Sequence, residues 1–164
     1  MPNVLAKAMY LQASNYYSID MACTNKARYD VSGASWTYAQ LYEAFPFDNV
    51  IYIVKIRGTK NIKEACHSAN FCYHDASLET MNSSQWYTIA IIDYLLWHTD
   101  SNRNYDYFSF DPNYMEIIGT LKNSSGDDFL YRDICANYLF GIHETINASD
   151  YSTSVAEFIK PSCN

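Results

Sequence analysis

WYTIAIIDYLLWHTDSNRNYDYFSF, residues 86–110, is the stretch around which the rest of the chain is organised. It begins as an apolar run that ends at Trp97, continues through a polar loop, and finishes as an alternating aromatic segment. Just upstream, Asn82 is followed three residues later by Gln85. This spacing is typical of a helix start, because the two side chains can satisfy amide donors that the first turn leaves open. The sequence therefore predicts a buried central helix over residues 83–97.

A β-hairpin is predicted directly after the polar loop. Its two strands would cover residues 105–110 and 114–118, joined by Asp111-Pro112-Asn113, in which the preset φ of Pro112 suits a tight reversal. A polar loop follows, and Asp127 or Asp128 then starts a helix that extends to residue 140, with acidic side chains at its positive end. The sequence thus predicts a helix, a hairpin and a second helix in succession.

The flanking segments complete an α+β pattern. Residues 49–57, NVIYIVKIR, are β-branched and almost continuously apolar, which predicts a strand that Gly58 closes. Further helices are predicted over residues 4–17, from Ser35 or Thr37 to residue 45, over 60–69 and over 152–160, with a connector over 71–81. No linker rich in Gly, Ser or Pro divides the 164 residues. We therefore expect one α+β domain over residues 1–164, in which a buried central helix is followed by a hairpin and C-terminal helices.

The charge balance excludes two classes of partner. The formal net charge is −7, whereas direct nucleic-acid binding or attachment to an anionic membrane needs a basic footprint. No apolar stretch reaches the roughly 18 residues that span a bilayer. The acidic balance is compatible with simple solubility and with docking onto the basic surface of a protein partner.

The cysteines favour a reducing compartment. Five cysteines are an odd number at irregular spacing, and the first residues lack the apolar core of a signal peptide. We therefore expect free thiols and a cytoplasmic location. Cys66, His67, Cys72 and His74 lie close in sequence, but structural zinc sites usually space two tight pairs further apart.

The polar loops on either side of the hairpin have the order that phosphoryl transfer needs. Such a site uses one Asp to orient a hydroxyl, together with carboxylate and amide oxygens that hold Mg²⁺. Asp100 precedes the predicted hairpin, and Asp127 and Asp128 follow it. The alternative is that Asp100 only turns the chain after the helix, because Asp and Asn often bond to nearby amides.

Ile91-Ile92-Asp93-Tyr94-Leu95-Leu96, followed by Thr99-Asp100, resembles the catalytic lobe of HipA-type kinases, a bacterial serine/threonine kinase family of toxin–antitoxin modules. The resemblance covers about residues 86–129 and implies a reduced kinase-like lobe that uses Mg²⁺ and ATP. It implies that Asp100 and Lys55 are catalytic. It also implies that Asn104, Asp127 and Asp128 bind the cofactor, with Asp127 and Asp128 as the Mg²⁺ ligands.

Three substitutions in the matched loop point to a degenerate form of that family. His98, Ser101 and Asn102 stand where HipA-type kinases have Asn, Arg and His. The resemblance therefore implies a degenerate or inactive kinase-like domain that acts on, or binds, a protein partner.

A protein-binding inhibitor is the alternative function. Carboxylates on an acidic surface can mimic phosphates and block the nucleic-acid channel of a host defence nuclease, as in proteins of phages and mobile elements. Acidic residues concentrate in the second half of the chain, and Tyr105, Tyr107 and Tyr131 could anchor such an interface. A solvated acidic face explains the same residues without any function.

Overall fold

The apolar run after Trp86 forms the central strand of a mixed five-stranded sheet in a computed structural model of the protein. The structure describes residues 1–29, 31, 36–67, 70–97, 110–142 and 146–164. From one edge to the other, the sheet holds β3 (Phe71–His74), β1 (Met21–Thr24), β5 (Tyr87–Ile92), β2 (Ile51–Ile56) and β6 (Met115–Thr120). β5 runs parallel to β1 and antiparallel to β2, and the pairs β1–β3 and β2–β6 are antiparallel.

Five helices and a second small sheet surround these strands in the part of the chain that the structure describes. The helices are α1 (Pro2–Ser14), α2 (Tyr38–Ala44), α3 (Thr59–Ala65), α4 (Asp93–Trp97) and α5 (Tyr131–Gly141). The small sheet pairs β4 (Thr80–Met81) in parallel with β7 (Ser162–Cys163), and 3-10 turns form at Pro112–Tyr114, Ala148–Tyr151 and Ala156–Phe158. Within the described residues, no helix is long and apolar enough to cross a membrane.

The core lies between the large sheet and the helices. α1 packs on β1, β3 and α5, and it buries Leu5 and Met9 completely. The central strands are buried almost throughout, with Ile53 on β2 and Ile89 on β5 inaccessible to solvent. Burial of this apolar surface is the main force that holds the layers together. The expected α+β class is confirmed.

The predicted helix over residues 83–97 is wrong, because most of it is strand β5 followed by the short helix α4. β5 has neighbours on both edges and five fully buried or nearly buried side chains among its six. A strand covered on both faces reads as a continuous apolar run, which periodicity cannot distinguish from a buried helix. Asn82 does not cap a helix: its Oδ1 accepts bonds from the amide and hydroxyl of Ser84 in a local turn.

Several other predictions are confirmed. Residues 4–17 contain most of α1, residues 49–57 contain β2, and residues 127–140 contain most of α5, although α5 begins at Tyr131, so that neither Asp127 nor Asp128 starts it as predicted. Thr37 caps α2 through a capping box with Gln40, as its position before the apolar spacing predicted. The second predicted hairpin strand corresponds to β6, whereas most of the first lies outside the described residues.

Two predicted segments differ from the structure. Residues 71–81 were expected to be a connector, but they contain β3 and β4. β3 alternates half-buried and buried side chains over four residues, which is too short a pattern to recognise against its surroundings. The last predicted helix, over residues 152–160, is only the 3-10 turn Ala156–Phe158.

One buried arginine fixes the segment that leads into β2. Arg132, on α5, donates from Nη1 to the carbonyl oxygens of Phe47 at 2.7 Å and Phe45 at 3.4 Å, and from Nη2 to the Asp48 carboxylate. Its guanidinium lies 4.6 Å from the ring centroid of Tyr42. We call these five residues the Arg132 cluster. It holds the chain just before Asn49, a residue that borders the candidate site.

Candidate functional site

The carboxyl ends of two parallel strands meet at one end of the sheet. Cys23 of β1 stands opposite Ile91 of β5, so the residues that follow both strands emerge at the same edge. In open sheets with parallel strands, ligands commonly bind in the crevice at this edge. A shallow cleft of about 270 Å³, largely open to solvent, lies there, lined by Asn49, Asp93, Tyr94 and Trp97. We call it the Asp93 cleft.

Asp93 is placed in this cleft by the switch from β5 to α4. Its amide donates to the carbonyl of Val50 at 2.9 Å, which continues the pairing with β2 by one residue. Its carboxylate accepts the amide of Tyr94 at 2.7 Å. Burial raises the pKa of the Asp93 carboxyl above its ordinary value, against the opposing effect of these amide bonds. Asp93 is therefore a partly desolvated acceptor at the cleft wall.

Aromatic side chains form the other wall. Trp97 is 49% exposed and packs edge-on against Tyr52, with ring centroids 5.8 Å apart. Tyr94 is also exposed at the cleft. A fixed, exposed aromatic face next to a carboxylate can stack a planar ring and bind polar groups attached to it.

The sequence-predicted site residues that the structure describes, Lys55, Asp127 and Asp128, do not line this cleft. Lys55 lies half-buried on β2 opposite Thr88 and Glu116. It is three positions from Tyr52, the residue opposite Thr120, which places it about 10 Å along the sheet from the turn that holds Asp128. Asp100 and Asn104 lie outside the described residues.

Asp127 and Asp128 sit in the exposed turn between β6 and α5. The Asp128 carboxylate accepts the ammonium of Lys122 at 2.7 Å and the hydroxyl of Thr120. These bonds, with that of Lys122 first, lower the pKa of Asp128 below its ordinary value. Asp127 closes the turn, because its carbonyl oxygen accepts the Asn123 amide and its own amide donates to the Oδ1 of Asn123. In the part of the chain that the structure describes, no three His, Cys, Asp or Glu side chains are grouped as metal ligands.

The sequence pattern assigns no functional role to Asp93. Asp93 falls within the predicted helix, and the functional prediction rests on the polar loop beyond Trp97. The available signal was a carboxylate placed directly after a β-branched apolar run, at the carboxyl end of a buried strand. Recognising that signal requires knowing that residues 87–92 are a strand.

Comparisons with known proteins identify the family. A family model described as 5'-nucleotidase, C-terminal domain, matches residues 1–85, more than half of the 164-residue chain. A structure of a putative 5'-nucleotidase from Staphylococcus aureus in complex with alpha-ketoglutarate is similar at a TM-score of 0.50 and 13% identity, over 99% of this chain and 36% of that chain. A structure of Haemophilus influenzae NAD nucleotidase is similar at a TM-score of 0.37 and 16% identity, over 57% of this chain and 23% of that chain. The Staphylococcus likeness supports the fold alone, and a search of curated proteins found no match.

The family match corrects both functional interpretations of the sequence. The HipA-type kinase resemblance is wrong, because it rested on a short apolar run and scattered Asp residues over residues 86–129. The match to the 5'-nucleotidase C-terminal domain family also contradicts the reduced kinase-like lobe and the phage-type inhibitor of a host nuclease. The protein spans only about a third or less of the two similar structures. With residues 1–85 matched by its model, this chain belongs to the 5'-nucleotidase C-terminal domain family.

Proposed function

We propose that this domain recognises the nucleoside part of a nucleotide in the Asp93 cleft, and that phosphate hydrolysis is carried out by a separate catalytic region. One observation supports the proposal most strongly. A chain of the 5'-nucleotidase C-terminal domain family has, at the carboxyl ends of its parallel strands, a carboxylate beside an exposed indole ring.

The cleft chemistry suits a nucleoside. Trp97 offers a ring face for stacking on a base, a contact worth about 1–3 kcal/mol per base. The Asp93 carboxylate can accept the hydroxyl groups of a ribose, and bonds to a charged acceptor are stronger than neutral ones. Asn49 lines the cleft with Asp93, and its backbone is held by the bond from the Tyr131 amide at 2.9 Å.

Titration calorimetry with adenosine, AMP and Mg²⁺–ATP tests the proposal. We expect Asp93→Asn and Trp97→Ala each to weaken adenosine binding by about tenfold or more, which corresponds to the loss of one charged hydrogen bond or one stacking contact. Asp150→Asn, which removes an equal charge from an exposed 3-10 turn, is the matched control and should bind like the wild type. Equal affinity of the wild type, Asp93→Asn and Trp97→Ala for adenosine would overturn the proposal.

The pH dependence gives a second test of Asp93. Because burial raises its pKa, the carboxylate becomes fully ionised only at a higher pH than an exposed Asp. Adenosine binding should therefore strengthen as the pH rises through that raised pKa, and Asp93→Asn should lack this dependence. The stability contribution has the opposite sign. It is present below the pKa of the unfolded chain and is lost as the pH rises through the folded pKa.

Three sequence-based expectations stay predictions. Binding of Mg²⁺ and ATP through Lys55, Asn104, Asp100, Asp127 or Asp128 is tested by the Mg²⁺–ATP arm with Asp127→Asn and Asp128→Asn variants. A protein partner with a basic surface, and a cytoplasmic location, also remain predictions. The expectation of free thiols agrees with the structure, in which all five cysteines are unpaired.

A further inference from the structure

A second cleft lies at the opposite end of the sheet. Its lining comes from the residue after β2, the start of α3, the turn between β4 and β5 and the segment that leads into β6; the residues are Arg57, Gly58, Thr59, Lys60, Asn61, Ser83, Asp111 and Tyr114. We call it the Arg57 cleft. Ile56 pairs with Tyr87 at this end, whereas Ile51 pairs with Ile92 beside the Asp93 cleft. Five strand steps separate these pairs, so the two clefts are about 17 Å apart along β2.

Hydrogen bonds fix the walls of the Arg57 cleft. Asn61 is fully buried; its Nδ2 donates to the carbonyl oxygens of Asp111 and Tyr114, both at 3.0 Å, and its Oδ1 accepts the Asp111 amide at 2.6 Å. Gly58 adopts a φ of 82°, which favours glycine, and its amide donates to Ser83 at 2.9 Å. The segments are therefore held together before any ligand arrives.

The guanidinium of Arg57 lies between two aromatic rings. Its central carbon is 4.9 Å from the ring centroid of Trp86 and 5.5 Å from that of Tyr114. The two rings are 46% and 43% exposed. Contacts of this kind orient the plane of the guanidinium through the ring faces and leave its N–H edge available for hydrogen bonds.

The donors of Arg57 lack acceptors among the described residues. Its Nε is buried without a hydrogen-bond partner there, as is the Nε of Arg132, and no described residue accepts a bond from its terminal nitrogens or forms an ion pair with it. The terminal nitrogens of Arg132, by contrast, are bonded to two carbonyl oxygens and one carboxylate. Buried donors are normally satisfied, and a planar guanidinium fork matches the two oxygens of a carboxylate or phosphate.

Charge and space at the cleft also favour an anion. Lys60 adds a second cation, so that two cations line the cleft against the single carboxylate of Asp111. That carboxylate already accepts the amide and the side-chain nitrogen of Asn113 at 2.9 and 3.0 Å. The cleft has a volume of about 290 Å³ and is partly open to solvent. A protein with a net charge of −7 thus has a locally cationic cleft.

We propose that the Arg57 cleft binds a small oxyanion, a carboxylate or a phosphate group. The guanidinium edge of Arg57 donates two parallel hydrogen bonds to the oxyanion, and Lys60 supplies the second positive charge. This site is separate from the Asp93 cleft and does not depend on nucleoside recognition there.

Calorimetric titrations with inorganic phosphate and with succinate, at constant ionic strength, test the proposal. Saturable binding is expected in the wild type, with affinity reduced about tenfold or more in Arg57→Gln, the loss of a charge-assisted bidentate contact. Arg57→Lys keeps the charge without the fork and should lie between the two. Arg28→Gln is the matched control, since Arg28 also stacks on a ring, 5.3 Å from that of Phe47, but lies outside the cleft lining.

The titrations have distinguishable outcomes. Tighter binding of phosphate or of succinate identifies the source of the oxyanion. Failure of both to saturate the wild type, or equal affinity in Arg57→Gln and Arg28→Gln, overturns the proposal. Circular dichroism checks that each variant folds. If Arg57→Gln does not fold, Lys60→Gln provides an independent test, because it should also lose affinity for the oxyanion. Adenosine binding should be unchanged in Arg57→Gln, so a failure here is separable from a failure at the Asp93 cleft.

Discussion

The Arg132 cluster and the Arg57 cleft place the same side chain in two different settings. Both guanidiniums lie against aromatic rings, with Tyr42 beside Arg132, and Trp86 and Tyr114 on either side of Arg57. Arg132 is buried, and its terminal nitrogens bond to oxygen atoms of the protein. Arg57 is half-buried and bonds to no such acceptor in the described parts of the chain. Hydrogen-bond acceptors in the protein, more than aromatic contacts, distinguish an arginine that stabilises the fold from one that is free to bind a ligand.

Replacing each arginine by glutamine should give the largest difference in stability between the two settings. Arg132→Gln leaves the carbonyl oxygens of Phe45 and Phe47 without their donor and removes the ion pair with the exposed Asp48, and we expect a loss of about 3 kcal/mol in the free energy of unfolding, most of it from the two carbonyl oxygens. Arg57→Gln removes only the ring contacts of a half-buried side chain, worth about 1–2 kcal/mol. Urea denaturation measures both, and equal losses would contradict the comparison.

Removing the side chain of Asn61 tests whether the walls of the Arg57 cleft hold Arg57 in position. Asn61→Ala leaves the buried amide of Asp111 without its acceptor and two carbonyl oxygens without their donor, and it should cost about 2 kcal/mol of unfolding free energy. Because the same bonds hold Tyr114 against Arg57, oxyanion binding should weaken too. Asn113→Ala, an exposed neighbour that bonds only to Asp111, is the control for urea denaturation and calorimetry. A destabilised Asn61→Ala that keeps full oxyanion affinity would show that the walls do not position Arg57.

The ion pair between Lys122 and Asp128 is expected to contribute the least to the free energy of unfolding. Both side chains are about half exposed, so Asp128→Asn should cost only about 0.5 kcal/mol, and less at high salt. The pKa of Asp128 is lowered in the folded protein, first by Lys122. Its contribution is therefore present above the pKa of the unfolded chain and is lost as the pH falls through the folded pKa. Thermal unfolding at pH 7 and pH 3 measures this, and a larger loss in Asp128→Asn than in Arg132→Gln would reverse the order.

Local patterns could be predicted well where one signal dominates. Thr37 before an apolar helical spacing predicted the cap of α2, and the β-branched run closed by Gly58 predicted β2. The same reasoning failed at residues 87–92, because a strand buried on both faces lacks the alternation that marks a half-exposed one. That single error hid the carboxyl edge of β5 and, with it, the role of Asp93.

The sequence by itself determined the α+β class, the cap of α2 at Thr37, the end of β2 before Gly58 and the net charge of −7. These properties depend on residues adjacent in the chain or on simple sums over it. Only the tertiary structure decided that β5 pairs with both β1 and β2, that Asp93 and Asn49 share a cleft, and that Arg57 lies between Trp86 and Tyr114. Those contacts join residues distant in sequence, so their geometry follows from strand pairing and packing, which no local pattern of side chains specifies.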